Sequence, residues 1–247
     1  MQYGILVIGD EILSGRRKDR HLDKAIELLA ARGACLSWAQ YIGDDPALIE
    51  SRLRESMQGD TIVFSFGGIG ATPDDLTRQC AANAAGVPLT RHPQARAIIE
   101  EKFGAEAYPT RILMADLPDG CALIPNPYNR IPGFSVGDHH FLPGFPVMAH
   151  PMMAWVLDTR YPVAASHRYV EQEIYVHDVP ESELIDLMQQ IIDMHPQTKL
   201  FSLPLHSDEG IRRIELGLKG ELARVETAMR ELLGELDRLG IRWTHER

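Results

Sequence analysis

Residues 61–77 read TIVFSFGGIGATPDDLT, and this stretch decides the fold. Thr61 to Phe66 is a short run of β-branched and aromatic residues with no charge in it, which predicts a strand buried on both faces. The run enters three glycines, Gly67, Gly68 and Gly70, without an intervening turn residue. Thr72-Pro73-Asp74-Asp75 then predicts a helix starting at Pro73, with Thr72 as N-cap, Pro73 at N1 and Asp75 completing a capping box. A glycine-rich connection from strand to helix leaves bare backbone amides near a helix's positive end, where an anion can approach. Two familiar phosphate loops do not fit. There is no Lys-Ser/Thr pair of a Walker loop, and proline stands at position 73 where a dinucleotide fingerprint has its third glycine.

Upstream, the same alternation occurs twice more. Tyr3 to Ile8 is an apolar run closed by Gly9-Asp10, and Leu22, Ala25, Ile26 and Leu29 share one face of a helix that follows. A second strand over Cys35 to Ile42 ends at Gly43-Asp44-Asp45, and Asp45-Pro46 predicts an N-cap followed by proline at N1, with Ile49, Leu53 and Met57 facing inward. Three strands alternating with helices imply a parallel sheet covered on both faces, whose ligands bind beyond the carboxyl ends of the strands. Gly9-Asp10, Gly43-Asp44-Asp45 and Gly67-Gly68 all fall at that end.

Downstream, a helix is expected around Gln94 to Phe103, then a proline-rich stretch from Pro118 to Pro132. A hairpin is expected from Gly133 to Leu142, turning at Gly137-Asp138. It delivers Pro143-Gly144-Phe145-Pro146 into a helix carrying Met148, Met152 and Trp155, a face that reads as core or interface. The pattern changes around Tyr161 to His167, which suggests a domain boundary between residues 1–160 and 165–247. The remainder reads strand (Tyr169 to Val176), helix (Glu181 to Met194), two strands (Thr198 to Leu203, Ile211 to Leu218) and an amphipathic helix (Leu222 to Leu239).

The 247 residues are 45% hydrophobic and 24% charged, as expected of a folded globular chain, and carry a formal net charge of −10. That sign disfavours a protein that tracks nucleic-acid phosphates. Residues 165–247 hold 16 acidic against 10 basic residues, which disfavours a KH-like nucleic-acid module. Cys35, Cys80 and Cys121 are distant and odd in number, which fits neither a disulfide framework nor a metal clip. The start lacks the features of a signal peptide and no apolar run approaches a membrane span, so a cytoplasmic protein is expected.

The candidate chemistry lies in the loops. Asp74 and Asp75 beside a phosphate pose a conflict, because unit charges ~4 Å apart repel by about 4 kcal/mol at an effective dielectric near 20. A divalent ion such as Mg²⁺ shared by Asp74, Asp75 and a phosphate would resolve it; alternatively one aspartate accepts the paired N–H donors of a pterin or purine edge. The competing reading is that the glycines make a tight turn and the aspartates cap a helix. Asp10, Glu11, Ser14 and Asp44 come from the same sheet edge, and each also has a reading as a turn former. Arg16-Arg17-Lys18 reads as a steering patch or a solvated loop. His139 and His140 should point to opposite faces of a hairpin and cannot share one metal. The sequence has no HExxH.

GDEILSG, GDD, GGIGATPDDLT, PNPYNRIPGF and LPGFPVMAHPM, in that order over roughly residues 3–158, resemble the MoaB/Mog molybdopterin-binding family, and within it the N-terminal domain of the competence/damage-inducible protein A (CinA-like) group. The resemblance implies a three-layer α/β/α molybdopterin-binding fold with a mainly parallel sheet, followed by a small C-terminal α+β domain. It implies a pocket lined by Gly67, Gly68, Gly70, Thr72, Asp75 and Thr77, joined by Asp10, Asp44 and the Pro143-Gly144 turn; the reading of the loops adds Gly9, Glu11 and Ser14 as ligand-binding candidates, and Asp75, Asp74 and Asp44 as the candidates for any catalysis. The ligand implied is molybdopterin or a related phosphorylated molecule, with a link to molybdenum cofactor biosynthesis, and a homo-oligomer is expected. Other members of the resemblance imply a second activity, metal-dependent cleavage of ADP-ribose- or FAD-like pyrophosphates; a silent binding module is the third reading. No deamidase activity is expected. Ala71, His21 and Met148 stand where the family commonly has proline, asparagine and an acidic residue, and Phe145 lies in the turn, which bears on catalysis more than on binding.

Overall fold

The charge-free run at 61–66 is a central strand of a six-stranded sheet in the computed structural model, which describes residues 1–162, 168–206 and 212–246. In chain order the first unit comprises β1 (Gln2–Ile8), α1 (Asp10–Leu13), α2 (His21–Ala30), β2 (Leu36–Ile42), α3 (Pro46–Ser56), β3 (Thr61–Phe66) and α4 (Thr77–Ala85). These are followed by β4 (Leu89–Arg91), α5 (Pro93–Phe103), β5 (Asp116–Pro118), β6 (Ala122–Ile124), β7 (Gly133–Val136), β8 (His139–Leu142) and α6 (Pro146–Arg160). The main sheet has the order β2-β1-β3-β8-β7-β6. β1 pairs in parallel with β2 and β3, and β3 with β8, while β7 runs antiparallel to both its neighbours. β4 and β5 form a separate antiparallel pair.

Two helical layers sandwich this sheet. Ile49 and Leu53 of α3, Cys80 and Ala81 of α4, and Ala95 and Ile99 of α5 join Leu6, Ile8, Val63, Phe134 and Phe141 in one buried cluster. On the other face α2 packs beside α6, and the His21 ring stacks on Phe66 with centroids 4.4 Å apart. The mostly parallel sheet with helices on both faces is the architecture that the alternating pattern predicts. Asp45 caps α3 through Leu48 N (2.8 Å), with Pro46 at the first helical position as expected. Turning at Gly137 (φ 57°), the β7–β8 hairpin directs His139 toward Ser56 Oγ (2.8 Å) and His140 toward Ser135 Oγ and Tyr161 OH (2.8 Å each). The two histidines therefore have separate partners on opposite faces.

Three local expectations are corrected. α4 begins at Thr77 rather than Pro73: the Thr72 N–H to Asp75 carboxylate bond of the expected capping box is formed, but the Thr72 hydroxyl donates to Asp75 Oδ2 instead of capping a backbone N–H, and Asp75 also accepts from Gly70 N. The buried stripe of α2 is His21, Ala25 and Leu29, with Ile26 exposed. The i, i+4 spacing is retained, but a histidine at the first helical position takes the place expected of isoleucine. The loop after Gly9 winds into the single turn α1.

The second compact unit contains residues 32–34 and 163–247. Its described elements are β9 (Tyr169–His177), α7 (Ile185–Met194), β10 (Lys199–His206), β11 (Arg212–Glu221), α8 (Leu222–Arg238) and β12 (Trp243–Thr244). They form an antiparallel sheet of order β10-β11-β9-β12, covered by α7 and α8. Val225, Met229, Leu232 and Leu236 are the inward stripe of α8, each side chain contributing about 1.5–3 kcal/mol of burial. The short β12 has no counterpart in the sequence pattern. The boundary expected around Tyr161 to His167 falls on residues 163–167, outside the described residues.

Candidate functional site

The carboxyl ends of β1, β2, β3 and β8 open on one cavity of about 470 Å³, within the usual range for a small-molecule site. Its floor is the loop after β3, lined by Gly67 through Thr72 with Asp74 and Asp75. Gly67 and Gly68 have φ of 107° and 68°, a region side chains rarely adopt. A Cβ at Gly67 would lie 2.2 Å from the Ile8 carbonyl oxygen, and one at Gly68 would lie 2.2 Å from Thr77 Oγ1. These glycines are thus required by the protein's own close approaches, whatever binds above them.

Asp75 holds the loop's shape. Its Oδ1 accepts from Gly70 N (2.8 Å), and its Oδ2 accepts from Thr72 N (2.8 Å) and from Thr72 Oγ1 (2.5 Å). Gly67 N donates to Leu142 O and Thr77 N to Gly68 O (3.0 Å each). The amides of Gly68, Ile69 and Ala71 are left without a protein acceptor among the described residues, all three in residues that line the cavity beside the start of α4. Free amides next to a helix N-terminus are what an oxyanion requires.

On the opposite wall, Asp44 Oδ2 accepts from Asp10 N (3.0 Å) while Asp10 Oδ1 accepts from Asp44 N (3.3 Å), so the loops after β1 and β2 are cross-linked by each other's side chains. Partial burial raises the Asp44 carboxyl above the usual range, and the charges of Asp10, Glu11 and Asp74 push in the same direction. Among the described residues no group of three or more His, Cys, Asp or Glu could by itself hold a metal ion.

Arg17 supplies the cavity's positive charge, opposite Glu11, Asp44, Asp74 and Asp75, and its guanidinium lies 5.9 Å from the centroid of the Phe145 ring. The apolar wall is Ile69, Phe103, Met114, Ile131, Phe145 and Met148. Asn126 and Asn129 brace the loop that carries Ile131: Asn126 Oδ1 accepts from Tyr128 N (3.0 Å), and Asn129 Oδ1 accepts from Ile131 N (2.9 Å). A second opening of about 430 Å³ shares Glu11, Arg17, Gly144 and Phe145 with the first, and adds Lys18, Asp19, Arg20 and His21.

Of the residues singled out from sequence, Gly9, Glu11, Asp44, Gly67, Gly68, Gly70, Thr72, Asp74, Asp75, Pro143 and Gly144 converge on the cavity. Asp10, Ser14 and Thr77 do not line it. Asp10 reaches across to Asp44, Ser14 ends α1 through its N–H to Asp10 O (2.8 Å), and Thr77 is fully buried under the loop. Sequence reasoning left Arg17 as one member of a basic run and passed over Phe103, Met114 and Ile131. Distant in sequence, these three lack any local signal; Arg17 had one in its charge.

The family described as "probable molybdopterin binding domain" has a profile that matches residues 4–162, the span that contains the whole cavity. The chain belongs to this family. A CinA-like protein of Citrifermentans bemidjiense is 36% identical over 160 residues, covering 62% of this chain and 39% of that protein. A protein of Pyrobaculum arsenaticum is 26% identical over 235 residues, covering 91% of this chain and 88% of that one. A solved structure, the protein CinA with unknown function from Thermoplasma acidophilum, superposes with a TM-score of 0.59 at 28% identity, over 64% of this chain and 98% of that one. The chain spans less than half the length of the CinA-like relatives it matches. The matched span includes the loops at the carboxyl edge of the sheet that line this cavity. No described helix is long and apolar enough to cross a membrane.

Proposed function

We propose that this member of the molybdopterin-binding-domain family binds a phosphorylated pterin or nucleotide, with the phosphate on the loop after β3 and the ring against the apolar wall. The observation that carries this reading is the set of unpartnered amides at Gly68, Ile69 and Ala71, lining the cavity beside α4. Arg17 adds a charge-assisted donor on the other side. Phe145, Ile131 and Met148 offer a surface on which an aromatic ring can stack.

The cation expected at Asp74 and Asp75 fits the residues differently. Asp75 already accepts three hydrogen bonds from the loop, whereas Asp44 is crowded by the charges of Asp10, Glu11 and Asp74. We therefore assign a Mg²⁺-like ion to Asp44 and Asp74, sharing it with oxygens of the ligand's phosphate. When bound, such an ion supplies charge neutralisation at phosphate oxygens. Asp75 keeps the amides aimed, and Arg17 and the free amides orient the phosphate. The crowding at Asp44 also supports the second reading, cleavage of a dinucleotide-type pyrophosphate such as ADP-ribose or FAD.

Calorimetric titration with a phosphorylated pterin, AMP and ADP-ribose, with and without Mg²⁺, tests the binding reading. The expected result is saturable binding of at least one of them that is lost when phosphate is removed from the ligand. Equal affinity for the dephosphorylated form removes the phosphate from the loop. Absence of AMP release from ADP-ribose or FAD with Mg²⁺, Mn²⁺ or Co²⁺ removes the pyrophosphatase reading and leaves the binding reading standing.

A further inference from the structure

The small unit is acidic, with 16 carboxylate against 10 basic residues from position 165 onward, yet one of its corners brings an arginine and two histidines together. Arg213 on β11 stands directly across from His177 on β9 in the antiparallel register. β12 then brings Thr244 and His245 to the same place by pairing with β9. Together with Glu246, these residues wall a cavity of about 450 Å³. Among the described residues Arg213 makes no ion pair, and its buried Nε–H finds no acceptor. An arginine cannot shed its proton, so a buried guanidinium N–H without a partner is a standing cost that a bound acceptor would remove.

We propose that this corner binds a small oxyanion of the phosphate or phosphomonoester type, gripped by the Arg213 guanidinium with His177 and His245 beside it. The hydrogen bonds already present set the geometry. Thr244 Oγ1 donates to Glu246 O (2.8 Å), so it must accept from His177 Nε2–H (2.9 Å). The His177 ring is thereby fixed in orientation, with its other nitrogen a lone pair until the ring is protonated. His177 is 8% exposed, and its backbone N–H donates to Arg242 O (2.9 Å). Burial lowers its pKa, the positive charges of Arg242 and Arg213 lower it further, and Asp178 opposes them. Among the described residues Glu246 is the one carboxylate in the cavity wall, and it is exposed. An anion seated on Arg213 offsets the repulsion that keeps His177 neutral, so binding tightens as pH falls below the ordinary histidine range.

The test uses the full chain and inorganic phosphate at constant ionic strength, with chloride as the balancing anion. The His177 ring proton signal, identified by its loss in His177→Gln, is followed by NMR from pH 5 to 8. Phosphate is expected to raise the His177 midpoint, and Arg213→Gln is expected to abolish that shift and weaken phosphate at this corner by about tenfold. Arg213→Lys keeps part of the effect. If chloride at the same ionic strength moves His177 as far as phosphate does, the proposal fails, and that comparison needs only the unaltered protein. An unchanged phosphate response in a folded Arg213→Gln variant overturns it as well. Phosphate binding at the loop after β3 does not confuse the result, because the signal read is local to His177.

Discussion

Asp75 and Asp44 look alike in sequence and differ in work. Asp75→Asn leaves one acceptor oxygen where two serve Gly70 N, Thr72 N and Thr72 Oγ1, so a hydrogen bond is lost and stability should fall by about 1 kcal/mol. Ligand affinity should fall to a similar extent with and without chelator, as titration in both conditions would show; an effect seen only with Mg²⁺ present would contradict the assignment of Asp75 as a loop brace. Asp44→Asn should behave in the opposite way. Asn still accepts from Asp10 N, and the raised carboxyl pKa means that ionised Asp44 is a stability cost once pH exceeds its folded-state value. The melting temperature near pH 7.5 should therefore hold or rise by a degree or two, while Mg²⁺-dependent ligand binding is lost. A clear drop in melting temperature at that pH would show that the carboxylate is needed for folding.

At the scale of the element, the connection from β3 to α4 behaves as a single device. Gly68→Ala places a methyl group against Thr77 Oγ1 and forces φ of 68° on a residue with a side chain, so a loss of about 2–3 kcal/mol is expected. Removing the obstacle in the double variant Gly68→Ala, Thr77→Ala should recover about 1 kcal/mol of it, a coupling that denaturant melts of the four proteins measure directly. Strict additivity would mean that Thr77 is not what the methyl meets. The same element shows what could be read in advance. Strand and glycines were legible from hydrophobic run and composition, but the start of α4 was not, because Thr72, Pro73 and Asp75 satisfy every local rule for a cap. The Thr72 N–H to Asp75 bond of that cap does form, but the Thr72 hydroxyl turns to Asp75 Oδ2 and Gly70 N shares the carboxylate, and the helix starts four residues later. His21 was likewise hidden: its burial depends on Phe66, forty-five positions away, and on the Gly144 carbonyl (3.4 Å). The sheet edge on which the cavity opens followed from alternation alone, whereas the apolar wall from Phe103, Met114 and Ile131 depended on tertiary packing.

For the whole molecule, buried neutral histidines set the response to acid. Burial lowers His139 to about 4 and His140 to about 3, and also lowers His21 and His150. His140 completes a chain in which Tyr161 OH donates to Asp138 Oδ1 (2.6 Å) and accepts from His140 Nε2–H. Below the ordinary histidine pKa of ~6.5 the unfolded chain takes up protons that the folded one refuses. Stability should then fall as pH drops, by up to about 1.4 kcal/mol per pH unit for each such histidine. Melting temperatures measured from pH 8 to 5 should be level above pH 7 and decline below 6.5. A flat profile down to pH 5 would mean that these rings accept protons in the folded state.

The glycines under the cavity carry a warning for anyone mapping it genetically. Hydrogen is what fits against the Ile8 carbonyl and against Thr77, so screens for lost activity will recover alleles at Gly67 and Gly68 first, and those alleles will report misfolded protein in the cell rather than a missing contact. Informative lesions should come from Arg17 and Phe145, whose side chains lie on the cavity wall outside that tight floor.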